Sequence, residues 1–104
     1  MHNDPILSML GIAAKSGNVV SGEFSTEKAV KTGHAYLVIV SAEASGNTKK
    51  SFCNMTDFYH VPCYCYGSKE ALGRCIGKEF RASLAVTDEN LARAVEKKLK
   101  ERTV

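Results

Sequence analysis

Five consecutive residues, "YLVIV" (Tyr36–Val40), set the tightest limit on what this chain can become. The run is apolar throughout and dominated by β-formers. A strand built from it has no polar face to turn to water, so both of its faces need cover. A central strand flanked by helices on either side meets that demand.

The rest of the sequence supplies those helices. Asp4 before Pro5 reads as a helix start, the carboxylate accepting from open N–H groups and the proline fitting the first turn. Ile6, Met9, Leu10 and Ala13 recur at helical spacing, and Gly17 stops the run. A short strand, Val19–Ser21, precedes a helix over Glu23–Thr32 with Thr26, Ala29 and Val30 turned inward and Gly33 at its end. After "SAEASGNT", Phe52, Met55 and Tyr59 mark a third helix that ends before Pro62. Cys63–Tyr66 reads as a strand, and Ser68 caps a short helix carrying Leu72, Cys75 and Ile76 that Gly77 terminates. Ala82–Val86 is a fourth strand. Asp88 caps a last helix with Leu91, Ala94, Val95 and Leu99 on one face. The order α-β-α-β-α-β-α-β-α predicts an α/β fold, a sheet sandwiched between two helix layers.

These patterns run nearly end to end over 104 residues, so a single domain over 1–104 is expected, without a linker or repeats. No window is long and apolar enough to span a membrane. The start, "MHNDPILSMLGIAAKSG", lacks the basic-then-apolar layout of a signal peptide, which points to a cytoplasmic protein. The balance of 14 Lys and Arg against 11 Asp and Glu gives +3, which permits a nucleic-acid partner without requiring one. Lys49 and Lys50 form one basic pair, and Lys78 and Arg81 flank an apparent loop. Lys97, Lys98, Lys100 and Arg102 crowd the last helix, where cations oppose the negative end of its dipole.

Four cysteines raise the question of a metal. Cys63 and Cys65 fall on one strand face, while Cys53 and Cys75 fall on apolar helix faces, and paired Cys-x2–4-Cys turns are absent. The expectation is therefore buried, reduced thiols and no metal. His60 beside Cys63 or Cys65 is the best nucleophile–base pair on offer, but no orienting carboxylate accompanies it. His60 reads as a surface or capping residue, His34 as a turn residue and His2 as part of a frayed terminus. Neither GxxxxGKS nor GxGxxG occurs, so no nucleotide cofactor is expected, and an enzyme is not.

The stretch "SGEFSTEKA" (residues 21–29) offers more. Ser21-Gly22 opens a helix whose first N–H groups lack intrahelical partners and whose dipole makes that end weakly positive. Gly22 leaves the backbone approachable, Ser25 adds a hydroxyl, and Lys28 lies one turn after Phe24 on the same side. An outward phenylalanine beside a lysine suits a stacked base with a phosphate alongside. A plain helix cap with Phe24 folded into the core would use the same residues.

Together with "LGRCIGKEFRASLAV" (Leu72–Val86) after the strand "CYCY", the segment "SGEFSTEKAVKTGHAYLVIVSAEASGNTKK" resembles the kink-turn RNA-binding ribosomal-protein superfamily, in its bacterial YlxQ- and YbxF-like branch. The likeness runs from about Ile6 to Leu99. It implies an α/β/α sandwich with a four-stranded mixed sheet. It also implies binding of kink-turns, bent helix–bulge–helix RNA elements with sheared G·A pairs. In that superfamily the start of the second helix carries Gly-x-Asn-Glu-x-x-Lys, and the loop after the LGR helix packs on looped-out nucleotides. Gly22 and Lys28 match the glycine and lysine, whereas Phe24 stands where asparagine is usual and Ser25 where glutamate or glutamine is usual. A serine hydroxyl cannot replace a carboxylate that accepts twice from a guanine edge, and phenylalanine can only stack. Gly77, Lys78, Glu79, Phe80 and Arg81 match the second loop, here charged rather than apolar. The resemblance thus assigns an RNA surface of Gly22, Phe24, Ser25 and Lys28 joined by Arg74, Lys78, Phe80 and Arg81. The implied partner is structured, kink-turn-like RNA, ribosomal RNA included, within a ribonucleoprotein. The rival reading is a protein-interaction module on the same fold, with Phe24 as an apolar anchor.

Overall fold

The computed structural model describes residues 4–102, and His2 lies outside them. Five helices and four strands alternate: α1 (Pro5–Lys15), β1 (Val19–Ser21), α2 (Glu23–Lys31), β2 (Leu37–Val40), α3 (Gly46–Phe58), β3 (Cys63–Cys65), α4 (Lys69–Cys75), β4 (Ser83–Val86) and α5 (Glu89–Arg102). The strands form one mixed sheet in the order β1-β4-β2-β3. β4 runs antiparallel to both β1 and β2, and β3 is parallel to β2.

Alternation along the two central strands divides the core. Leu37 and Ile39 of β2, with Leu84 and Val86 of β4, pack against Ile6 and Leu10 of α1, Leu72 of α4 and Val95 and Leu99 of α5. On the other face Val38, Val40 and Ala85 meet Ala29 and Val30 of α2 and Phe52 of α3. Every residue of β2 and β4 is buried, which is what the apolar run demanded. The sandwich has the three layers expected of it.

Local readings shift where packing decides. Tyr36 is 43% exposed and precedes the strand, which begins at Leu37. On α3 the inward positions are Phe52 and Thr56, while Tyr59 is the C-cap and stacks edge-on against exposed Phe58. Thr56 tolerates burial because its hydroxyl donates to the Phe52 carbonyl at 2.7 Å. On α5 the buried stripe is Ala92, Val95 and Leu99, with Ala94 only half-buried. The basic end of that helix is engaged within the fold: the Arg102 guanidinium lies 5.3 Å from the Tyr66 ring centre, and Lys98 pairs with Glu101.

Asp4 is the anchor of α1. Its Oδ1 accepts from the N–H groups of Ile6 and Leu7, and its other oxygen accepts from the Tyr66 hydroxyl. Burial works against the charged carboxyl, but those hydrogen bonds and the Arg102 charge outweigh it and hold it below the usual carboxylate range. A lowered folded-state value means stability that is present above the unfolded value and lost as pH falls through the folded one. Asp4→Ala, which removes the cap and the acceptor for Tyr66, is expected to cost about 1–2 kcal/mol at neutral pH and to flatten the acid limb of the stability profile below about pH 4. Urea melts at pH 7 and pH 3 check both effects.

Because β1, β2 and β3 all run the same way, their C-terminal ends lie along one edge of the sheet, with the start of β4 between them. The helices α2, α3 and α4 begin there, and the chain returns there from α4.

Candidate functional site

At that edge α2 differs from the other helices. Asp4, Ser45, Ser68 and Asp88 each place a side-chain oxygen on an N–H of the helix that follows. The α2 N-cap is Gly22, with φ 91° and ψ 159°, and no side chain caps the helix. A residue with a Cβ would be strained at that φ, although nothing lies within 4 Å of the position a Cβ would take. The first turn, Glu23 to Ser25, therefore has open N–H groups without a capping acceptor. Phe24 is 77% exposed, so the ring is not folded into the core. Ser25 is half-buried and Lys28 exposed, while Thr26 turns inward and its hydroxyl meets that of Ser83 at 3.4 Å.

The neighbouring segment is shaped by close backbone contact. α4 ends on Gly77, with φ 77°, where the N–H groups of Gly77 and Lys78 return to the carbonyls of Arg74 and Gly73. The chain then doubles back over Gly73 so tightly that a Cβ there would lie 2.2 Å from the Glu79 carbonyl oxygen. This fold-back leaves Lys78, Glu79 and Phe80 exposed, Phe80 by 62%.

Two contacts join the segments. Arg81 Nε donates to Ser21 Oγ at 3.0 Å, and the Gly22 N–H donates to the Ser83 carbonyl at 3.0 Å. Arg81 also donates from a terminal nitrogen to the Phe80 carbonyl at 2.8 Å and from its backbone to Lys69. The resemblance places Arg81 on the RNA surface. The structure makes it a half-buried strut between β1 and the loop. Arg74 is exposed and paired with Glu70 at 2.9 Å, beside a groove between α1 and α4 lined by Ile12 and Lys15. No described contact brings it to the mouth of α2. Neither Lys28 nor Lys78 takes part in an ion pair among the described residues, and two acidic groups, Glu23 and Glu79, stand among them.

Sequence reasoning missed the Ser21–Arg81 bond and the role of Gly73. The first needed the β1–β4 register, which pairs Ser21 with Leu84 and so brings the residues before β4 alongside. The second had a signal in the sequence, a glycine inside a helix, where it costs stability unless something must come close.

The cysteines depart from expectation. Cys53 and Cys65 are exposed rather than buried, because Phe52 takes the inward position on α3 and β3 is an edge strand. Cys63 and Cys75 are half-buried, and desolvation pushes both thiols up to about 11. Among the described residues no group of three or more His, Cys, Asp or Glu is placed to hold a metal ion. His60 is exposed in the turn after α3, at φ 60°. No helix among the described residues is long and apolar enough to cross a membrane.

Comparison with known proteins agrees with this architecture. The chain is similar to the RNA-binding protein YlxQ of Bacillus subtilis, 40% identical over 84 residues that cover 81% of this chain and 84% of that one. It is 35% identical over 72 residues to the large ribosomal subunit protein eL30 of Methanoregula boonei, covering 68% and 71% of the two chains. A solved structure from Bacillus halodurans C, of a protein with unknown function, superposes with a TM-score of 0.91 at 34% identity, covering 94% of this chain and 99% of that one. Residues 4–98 match the ribosomal protein L7Ae/L30e/S12e/Gadd45 family, and the chain belongs to it.

Proposed function

We propose that this protein is a non-catalytic, cytoplasmic, ribosome-associated RNA-binding protein. Its surface joins the mouth of α2 to the loop after α4 and takes kink-turn-like or similarly bent RNA with unpaired bases. The carrying observation is the junction itself: Arg81 to Ser21 and Gly22 to Ser83 hold an uncapped helix N-terminus beside a loop that exposes a second phenylalanine. Gly22 gives a phosphate or base edge access to the backbone. Phe24 and Phe80 stack on splayed bases, as aromatic side chains do in recognition of unpaired RNA. Ser25 donates one hydroxyl hydrogen bond. Lys28 and Lys78 face phosphate, Arg81 positions the loop, and Arg74 extends the surface along α4. Similarity to YlxQ and to eL30 supports the reading.

The test is a gel shift against a kink-turn RNA and an unbent duplex of equal length, each over a salt series. Preference for the kinked RNA, weakening steeply with salt, is the expected result. Lys28→Ala with Lys78→Ala should flatten the plot of log affinity against log salt by about 1.4–1.8, the loss of two phosphate contacts. A slope equal to the parent's would remove both lysines from the interface. Retention of lysate proteins after ribonuclease treatment, with no shift of either RNA, would instead favour the protein-docking reading.

A further inference from the structure

The outer side of α1 carries a pattern that neither the core nor the RNA surface uses. Asp4, Leu7, Ser8, Gly11, Ile12 and Lys15 recur three or four residues apart, which sets them on one face of the helix. Together with Ala71 and Cys75 of α4 they line a groove of about 690 Å³. The two helices press together at Gly11, where a Cβ would lie 2.9 Å from the Cys75 carbonyl oxygen. Ile12 stands 61% exposed in this groove and is the one aliphatic side chain among the large exposed hydrophobics of the described residues. An isoleucine neither stacks on a base nor meets a phosphate, so RNA does not account for it, and the apolar face of a protein does. The face is also charged at its two ends. Lys15 is exposed and in no ion pair among the described residues, and the Asp4 carboxylate lies about 16 Å away along the axis.

We propose that this face is an interface between two copies of the chain, paired about a two-fold axis with their α1 helices antiparallel and each lying in the other's groove. An axis passing between Ser8 and Gly11 sets Lys15 against Asp4 of the second copy, Ile12 against its Leu7 and Ser8 against its Gly11. The symmetry makes each of these contacts twice. Charge selects the antiparallel arrangement. A parallel pair would oppose Asp4 to Asp4 and Lys15 to Lys15 and would align the two helix dipoles, whereas the antiparallel pair turns all three repulsions into attractions. The small residues at the crossing let the two axes come close. Glu70 and Arg74 stay paired with each other on the rim. Because α1 and α4 cover the sheet face shared with α5, while α2 covers the other, pairing leaves both mouths of α2 open. The inference therefore stands apart from what those mouths bind.

Sedimentation equilibrium of the protein without RNA, over a wide span of concentration and at two salt levels, reads the assembly directly. The mass should climb from that of one chain towards twice that value as concentration rises, and the dimer should weaken as salt screens the Lys15–Asp4 pairs. Ile12→Asp sets an unpaired carboxylate into the apolar groove twice per dimer and should raise the dissociation constant at least about tenfold. Lys15→Glu should match that loss at low salt and recover in part at high salt, the reverse of the parent, because like charges then face each other. Both side chains are exposed in the single chain, so both variants should melt as the dilute parent does. A parent that keeps the mass of one chain throughout would overturn the proposal and leave the groove to an unlike protein. A dimer equally tight in the parent and both variants would also overturn it, by placing the contact on another face.

Discussion

Gly73→Ala is expected to lower stability by at least about 3 kcal/mol, the largest effect of any single substitution considered for this chain. In an ordinary helix interior the same change would raise stability by about 0.5–1 kcal/mol. Here the added methyl would stand 2.2 Å from the Glu79 carbonyl oxygen, 2.5 Å from its carbon and 2.9 Å from the Phe80 nitrogen. All three are backbone atoms, so no side-chain rotation relieves the clash. The chain must lift off α4, breaking the Lys78 N–H bond to Gly73 and pulling Arg81 away from Ser21. A fall in melting temperature of roughly 10–20 °C follows from that cost for a domain of this size. Gly46→Ala is the control: the position opens α3 with nothing within 4 Å, and the variant should match the parent or melt slightly higher. Near-equal melting of the two variants would show that the 77–82 segment does not rest on Gly73.

The second large effect concerns Phe24. If the ring stacks on an unpaired base, Phe24→Ala should weaken RNA binding by about 1–3 kcal/mol, a loss of roughly 5- to 150-fold. Stability should change little, because the side chain is 77% exposed and touches no core cluster. Phe24→Asn with Ser25→Glu makes the converse change. It exchanges a stacking ring for groups that hydrogen-bond base edges, each contact being worth about 1–3 kcal/mol of discrimination. The double variant should therefore favour kink-turns with sheared G·A pairs over other bulged RNAs more strongly than the parent does. Isothermal titrations of both variants against the two RNA types measure that ratio. An unchanged ratio, with Phe24→Ala binding as the parent does, would place the mouth of α2 outside the interface.

The architecture was legible because local and global signals agree. Asp4-Pro5, Ser68 and Asp88 mark helix starts by the chemistry that caps them, and the apolar run before Val40 could only be a covered strand. Readings failed where tertiary contact decides between neighbours. Tyr59 lost the inward place to Thr56 because a threonine can satisfy its hydroxyl within its own helix. Cys65 came out exposed because β3 lies at the sheet edge, and Cys53 because Phe52 takes the inward place on α3. At the candidate site, the spacing left Phe24 either outward or in the core, and the exposed ring decides between them. The Arg81–Ser21 bond was not legible, since it depends on a pairing between residues sixty positions apart.

The strand order carries a further consequence for how such a chain matures. β4, which alone touches both β1 and β2, is the last strand in the sequence. During synthesis the first strand waits, unpaired, for a segment more than sixty residues downstream, and the sheet cannot close until that segment has left the ribosome. Assembly should accordingly be late and nearly all-or-none, a barrier set by distant contacts rather than by the helices. Nascent chains halted before residue 83 should remain protease-sensitive throughout, and those released just beyond α5 should become resistant in a single step.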